Sequence, residues 1–456
     1  MKSLVNKRIV LAVAALSTFL VGFTGSSINI ALPSIGHELK MDAVLLGWVA
    51  TSYILASATL LLPFGRLADI RGRKRIFIYG IITYTIASLL LSFVPSASAL
   101  ISLRVVQGVG SAMIFSTAIA IVTSVFPAGE RGKALGITAA MTYLGLSLGP
   151  VLGGILTQYF GWRSIFLAMV PLGATTVALL LAKVKGEWAE AKGEKFDFIG
   201  TTSYSLSLIA IIYGFSLLPA SLGIWLTAAG AAGIFAFVRQ EVKIAHPLVD
   251  INLFRKNRVF AFSNLAQLFS YSAAFAVSFL MSLYLQYIKG LSPQHAGLIL
   301  VVMPAVQAGF SPFAGRLSDR IEPRILASTG MGLITVGLAL FTSLNEGTTL
   351  GFIMGSLITI GLGFGFFASP NTNAIMSSVR ERRYGVASAI LATMRQIGMM
   401  FSMGIAMLLF SLYIGRVEIT APYYPLFLKS TRIAFTIFTA LCSAGIAASL
   451  ARGKTR

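Results

Sequence analysis

Gly65-Arg66-Leu67-Ala68-Asp69-Ile70-Arg71-Gly72-Arg73-Lys74-Arg75 separates two apolar runs, and Gly315-Arg316-Leu317-Ser318-Asp319 repeats its opening far downstream. Each block starts 57 residues after an apolar stretch begins, at Arg8 and at Arg258. Glycine permits a tight turn between helices, and clustered Lys/Arg hold such a turn at a membrane face. A second echo pairs Arg104-x-x-Gln107-Gly108 with Arg395-Gln396-x-Gly398. The chain therefore reads as two related halves.

Working outward, apolar runs long enough to cross a bilayer fall near 8-33, 43-64, 76-95, 98-126, 134-158, 163-185, 197-217, 222-238, 258-287, 295-314, 325-343, 348-376, 386-414 and 432-450. With 56% hydrophobic and 11% charged residues and a mean hydropathy of +0.84, bilayer is the main solvent. The formal charge of +21 suggests nucleic acid until its placement is examined. With the N-terminus inside, 28 of 36 Lys/Arg fall on cytoplasmic segments and 6 on outside loops, leaving Arg104 and Arg395 within spans. That is positive-inside topology, so no nucleic-acid partner is implied. The expected fold is an all-α polytopic membrane protein of about fourteen spans with both termini cytoplasmic. A six-helix half over 1-185 and another over 258-456 flank a linker, 186-257, with two extra transmembrane helices.

Other classes lack their residues. No Gly-x-x-x-x-Gly-Lys-Ser/Thr loop or His-x-x-x-His pair marks an ATPase or metal site. Gly145-Leu146-Ser147-Leu148-Gly149 matches a nucleophile pattern, but it lies inside a span with no core histidine to activate Ser147. Neither enzyme activity, a catalytic residue, a metal nor a cofactor is expected. A membrane sensor would carry an output domain that these short loops leave no room for. Lys2, Lys7 and Arg8 precede an apolar stretch too long for a cleaved signal, so it reads as the first span. The single Cys442 and the missing Asn-x-Ser/Thr sequon point to a prokaryotic cytoplasmic membrane.

The Gly65–Arg75 block resembles the cytoplasmic signature loop of the major facilitator superfamily. Gly145-x-x-x-Gly149-Pro150-x-x-Gly153-Gly154 is similar to the antiporter signature of its exporting branches. Asn29-x-Ala31-Leu32-Pro33, Trp48-Val49-x-Thr51-x-Tyr53 and Tyr284-Leu285-Gln286 extend the likeness to the fourteen-helix drug:proton antiporters of the multidrug efflux type. The resemblance implies alternating access, with Asp69, Arg73 and Asp319 latching one conformation and Arg104, Gln107 and Arg395 serving coupling. Gly145, Gly149, Pro150, Gly153 and Gly154 would pack and kink the fifth span.

One departure stands out. The acidic residue that usually lies five positions before Asn-x-Ala-Leu-Pro is Thr24 here, and all fifteen Asp/Glu fall in predicted loops or helix ends. Carboxylate-based proton coupling in the core is thus in doubt. Thr24, Ser26, Asn29, Trp48, Tyr53, Met113, Tyr143, Asn264, Gln267, Tyr271 and Gln307 are the candidate substrate-binding residues, an aromatic and amide lining suited to amphipathic molecules. The expected function is export of small amphipathic organic compounds, linked to the proton-motive force, by a monomer in the lipid bilayer. A facilitator or importer of a neutral or anionic small molecule is the alternative on the same fold.

Overall fold

The computed structural model describes residues 6–453 except 185, 190, 245–247, 250, 319 and 380–383, and leaves the side chains of 128, 129, 252, 384 and 385 undescribed. Asp319 therefore lies outside the described residues. Among those described, fourteen helical segments are long and apolar enough to span a membrane.

The first six are α1 (Lys7–Leu39), α2 (Ala43–Arg71), α3 (Arg73–Leu91), α4 (Ala97–Val125), α5 (Ala128–Phe160) and α6 (Arg163–Lys183). The extra pair is α7 (Phe198–Leu217) and α8 (Ser221–Glu241). After a short α9 (Ile251–Lys256), α10 (Arg258–Ala274) and α11 (Ala276–Leu283) form the ninth span, and α12 (Pro293–Leu300) and α13 (Val302–Ser318) the tenth. Finally come α14 (Pro323–Phe341), α15 (Leu350–Ser377), α16 (Tyr384–Tyr413) and α17 (Tyr424–Ala451).

One packing pattern recurs in both halves. In the first, α1 lies on α5, α2 on α4 and α3 on α6; in the second, α10 lies on α16, α13 on α15 and α14 on α17. The halves meet through α2 with α16 and α5 with α12. The extra helices do not sit in a third layer. Instead α7 lies against both α2 and α16, with α8 packed on its outer side.

Two spans are broken where one continuous helix is predicted. Pro304 has no N–H for the carbonyl of Leu300, and the tenth span breaks at Val301. The ninth breaks at Phe275, where the Ser402 hydroxyl accepts from the Ala276 N–H at 2.9 Å. It then ends in a π-helical turn, Tyr284–Ile288, over the Tyr284-Leu285-Gln286 motif. Several helices run past the apolar stretches, among them α1 to Leu39, α2 to Arg71, α5 by its charged first turns and α17 by a start carrying Lys429. Charged end turns lower the hydropathy without stopping the helix, and Pro425 in the first turn favours it.

Prolines in α1 and α2 do more than bend the chain. Pro33 offers no N–H to the carbonyl of Asn29, which instead accepts from the Ser282 hydroxyl at 2.6 Å. Pro63 likewise frees the carbonyl of Thr59, which accepts from Ser205 on α7 at 3.1 Å. Each freed backbone acceptor binds a helix outside its own half.

Candidate functional site

The signature loop, Lys7, Glu130 and Ala451 share one end of the bundle, here called the loop end; Lys7 pairs with Glu130 at 2.9 Å and Arg258 reaches the Ala451 carbonyl at 2.8 Å. A cavity of about 1240 Å³ opens there between the halves. Its mouth carries Arg66, Asp69, Arg73, Arg131, Glu194 and Glu241, and its inner wall carries Phe115, Tyr143, Gln267, Tyr271, Arg395 and Gln396. At the far end the halves close. Gln286 donates to the Ile30 carbonyl at 3.0 Å and the Ala43 N–H to the Val417 carbonyl at 3.0 Å, beside the Ser282–Asn29 bond.

The α5 glycines explain how tightly that end shuts. Gly145, Gly149 and Gly153 all face α1, where a methyl group would come within 2.6 Å of the Phe19 carbonyl, 2.9 Å of the Phe23 carbonyl and 2.6 Å of the Ser27 Cβ respectively. Gly154 and Pro150 face the other half. A methyl on Gly154 would meet the Pro293 carbonyl at 2.6 Å, and one on Gly297 of α12 would meet the Pro150 carbonyl at 2.1 Å. Backbones this close need glycine on the touching face.

Around the signature loop, Gly72 turns the chain at φ 118°, a region that favours glycine. Asp69 accepts from Arg73 Nε at 2.7 Å across that turn, and Arg73 also donates to Ser124 Oγ at 2.7 Å on α4. The segment after α6 lies over the loop. Glu187 accepts from the Lys74 and Arg75 N–H groups at 2.7 and 3.1 Å, capping α3 as anions do at a helix N-terminus. The Ala191 N–H reaches the Asp69 carbonyl at 2.9 Å, and Glu194 pairs with Arg66.

Arg104 is sealed off from the cavity at 1% exposure. Its Nε donates to the Val49 carbonyl at 3.0 Å, one terminal nitrogen donates to Gln107 Oε1 at 2.5 Å, and its guanidinium carbon lies 4.3 Å from the Tyr53 ring centroid. Gln107 passes on to Ser88 Oγ at 2.8 Å, and Tyr53 donates to Ser111 Oγ at 2.9 Å. Two hydrogen bonds and an aromatic face thus offset part of the cost of burying this ion. Arg395 is different: it lines the cavity, lies 5.8 Å from the Tyr271 centroid and 6.0 Å from that of Phe115, and its Nε is shut from solvent without an acceptor. Next to it, Gln396 donates to Ser57 Oγ of the first half at 2.8 Å.

Of the candidate binding residues, Tyr143, Gln267 and Tyr271 line the cavity, as do Asp69, Arg73 and Arg395. Eight stand elsewhere. The Thr24 hydroxyl donates to the Leu20 carbonyl at 3.1 Å, Ser26 to Gly22 at 3.2 Å, and the Asn264 amide to Phe260 at 2.9 Å. Asn29 is in the far-end seam, Trp48 packs on Tyr213 of α7 at 6.0 Å, Tyr53 is under Arg104, Met113 packs against Gly80, and Gln307 is buried on α13. Sequence reading counts Arg452 merely as a terminal charge. It is 1% exposed and donates to Ser263, Asn371, Ser449 and the Pro323 carbonyl at 3.0–3.2 Å, tying four helices of the second half together. Burial pulls its guanidinium down to about 10. Nothing in a charge tally separates such an arginine from its solvated neighbours.

Two pseudo-repeated helical halves around a cavity that opens at the loop end define a polytopic membrane transporter. The family model described as Major Facilitator Superfamily matches residues 14–403, and the chain belongs to that family. It is 33% identical over 401 residues to a riboflavin transporter, RibZ, of Clostridioides difficile, covering 88% of this chain and 87% of that protein. It is 33% identical over 415 residues to the cephamycin export protein CmcT of Amycolatopsis lactamdurans, covering 88% and 84%. To the multidrug resistance protein Stp of Mycobacterium tuberculosis it is 30% identical over 398 residues, covering 85% and 73%. Among solved structures, an inward-facing bacterial homologue of the lysosomal transporter Spinster aligns with a TM-score of 0.66 at 16% identity, covering 97% of this chain and 96% of that one. At that identity the likeness speaks for the fold.

Proposed function

We propose that this transporter exports small amphipathic organic compounds across the cytoplasmic membrane by alternating access, linked to the proton-motive force, with the loop end facing the cytoplasm. The observation that carries it is the cavity: open toward the Lys/Arg-rich end, shut at the other, with an unpartnered Arg395 Nε among Tyr143, Tyr271 and Phe115. Aromatic walls bind an apolar body, and a guanidinium at the wall with one N–H left without an acceptor favours a carboxylate or a polarised carbonyl over a cation. Neutral and anionic amphiphiles are therefore the substrates of choice. Positive-inside charge supports the orientation.

Facilitated passage or import of a neutral or anionic small molecule is the second reading, and the relative described as a riboflavin transporter supplies the flavin as a probe for it. Proteoliposome flux of a flavin, a β-lactam carboxylate and a lipophilic cation, with and without an imposed pH gradient, separates the two. Export of the carboxylate against its gradient, driven by the pH difference, supports the first reading. Gradient-independent equilibration of the flavin alone would replace it with the second.

A further inference from the structure

The extra hairpin ends at the loop end in two facing carboxyl groups. Asp197 caps α7, its Oδ1 accepting from the Gly200 N–H at 2.9 Å, while its Oδ2 is enclosed with no partner. Glu241, the last residue of α8, is 2% exposed. Its Oε2 accepts from the Val249 N–H at 2.9 Å, and its Oε1 is also enclosed without a partner. Both orphan oxygens converge over the bare face of Gly200. A methyl group there would lie 2.2 Å from Asp197 Oδ2 and 2.8 Å from Glu241 Oε1, and the two carboxyls are within hydrogen-bonding reach of each other. Glu241 also lines the cavity.

We propose that Asp197 and Glu241 bind one proton between them, forming the titrating site that the transmembrane core lacks. This rests on the proton-linked reading above. Two ionised carboxylates so placed repel, and both facing oxygens lose their water; one proton turns the repulsion into a charge-assisted O–H···O bond. The proton comes from water in the cavity and returns to it, and no covalent bond to carbon changes.

No described cation neutralises the pair instead. On the elements around it, Arg66 is held by Glu194, Asp69 pairs with Arg73, Arg239 lies over the Phe235 ring, and Lys192, Lys195 and Lys243 are exposed. Arg395 on α16 lies at the inner wall. His246 and Asp250 are outside the described residues. Because α7 touches α2 of one half and α16 of the other, a proton at its base alters the helix that bridges the seam.

The test is infrared difference spectroscopy of the intact transporter in detergent, titrated with acid in sodium-free buffer. Asp197→Asn and Glu241→Gln imitate the protonated partner and keep the bonds to Gly200 and Val249, so both should fold, with thermal melting as the control. Wild type should show a protonated-carboxyl band that appears at a higher pH than those of the solvated carboxyls, and in each variant that band should be missing from this pH range. A band unchanged in both variants, no band at all, or loss of the band when sodium is added at constant pH would overturn the proposal. Should the band behave as expected while a pH gradient drives no flux in proteoliposomes, the proton site stands and proton-linked transport falls.

Discussion

Ser282 donates its hydroxyl to the carbonyl of Asn29 at 2.6 Å, and that carbonyl is free because Pro33 follows it by four residues. One imino acid in the first half thereby creates an acceptor for the second half at the far-end seam. Breaking one such bond costs about 1 kcal/mol, roughly a fivefold change in an equilibrium. Ser282→Ala should accordingly raise the population open at the far end by about that factor, read as faster alkylation of a cysteine placed at Asn29. Unchanged labelling would show that the Gln286–Ile30 and Ala43–Val417 bonds suffice to hold the seam.

Orientation can be tested in a nearly native background, because the single Cys442 is fully buried. Cysteines at Ser96 and Glu346 should react with an impermeant reagent added outside whole cells, and one at Gly132, on the cavity mouth, should react only after permeabilisation. The reverse pattern would invert the assignment of the loop end.

Asp69→Asn keeps the shape of the turn at Gly72 but removes the charge that holds Arg73 at 2.7 Å. Turnover should drop several-fold while equilibrium binding of a fluorescent substrate stays within experimental error. Equal losses of binding and turnover would assign the loop to folding rather than exchange.

Arg104→Lys preserves the charge and loses the geometry, since one ammonium cannot reach both Val49 and Gln107 as the guanidinium does. The expected cost is about 2 kcal/mol of stability, seen as a lower melting temperature in detergent, with flux reduced in parallel. A melting temperature equal to wild type alongside lost flux would assign Arg104 to coupling and not to packing.

Arg395→Gln should weaken binding of an amphipathic carboxylate at least tenfold, the worth of one charge-assisted bond of about 1.5 kcal/mol or more. A neutral analogue should bind as before. Thr24→Asp places its carboxylate away from the cavity wall, beside Leu20. It should alter the pH dependence of flux without tightening the binding of a lipophilic cation.

Much of the fold was legible because a bilayer leaves few choices: backbone groups must bond internally, so long apolar runs are helices, and the repeated Gly-Arg-Leu-x-Asp pins the halves in register. Helix breaks were harder to see. Pro304 is visible, but Phe275 carries no mark in sequence, since Ser402, far along the chain, rescues its neighbour's N–H. The site was legible in part. Tyr143, Gln267 and Tyr271 face the cavity. Thr24, Tyr53 and Asn264 are equally polar residues on similar helices, yet they turn to a backbone carbonyl or a neighbouring side chain within the protein. Residue type does not encode that rotation. The Asp197–Glu241 pair escaped notice because helix ends are where carboxylates are ordinarily solvated.

Bilayer-dissolved compounds can reach an open cavity sideways, through the slits between the two halves, as well as from water. The hairpin bears on that traffic. With α7 lying along the α2–α16 junction, stitched to Ala58 and Thr59 on one side and to Ser411 on the other, one of the two slits is boarded over. The other junction between the halves, α5 against the tenth span, is packed directly and, among the described residues, has no third helix laid along it.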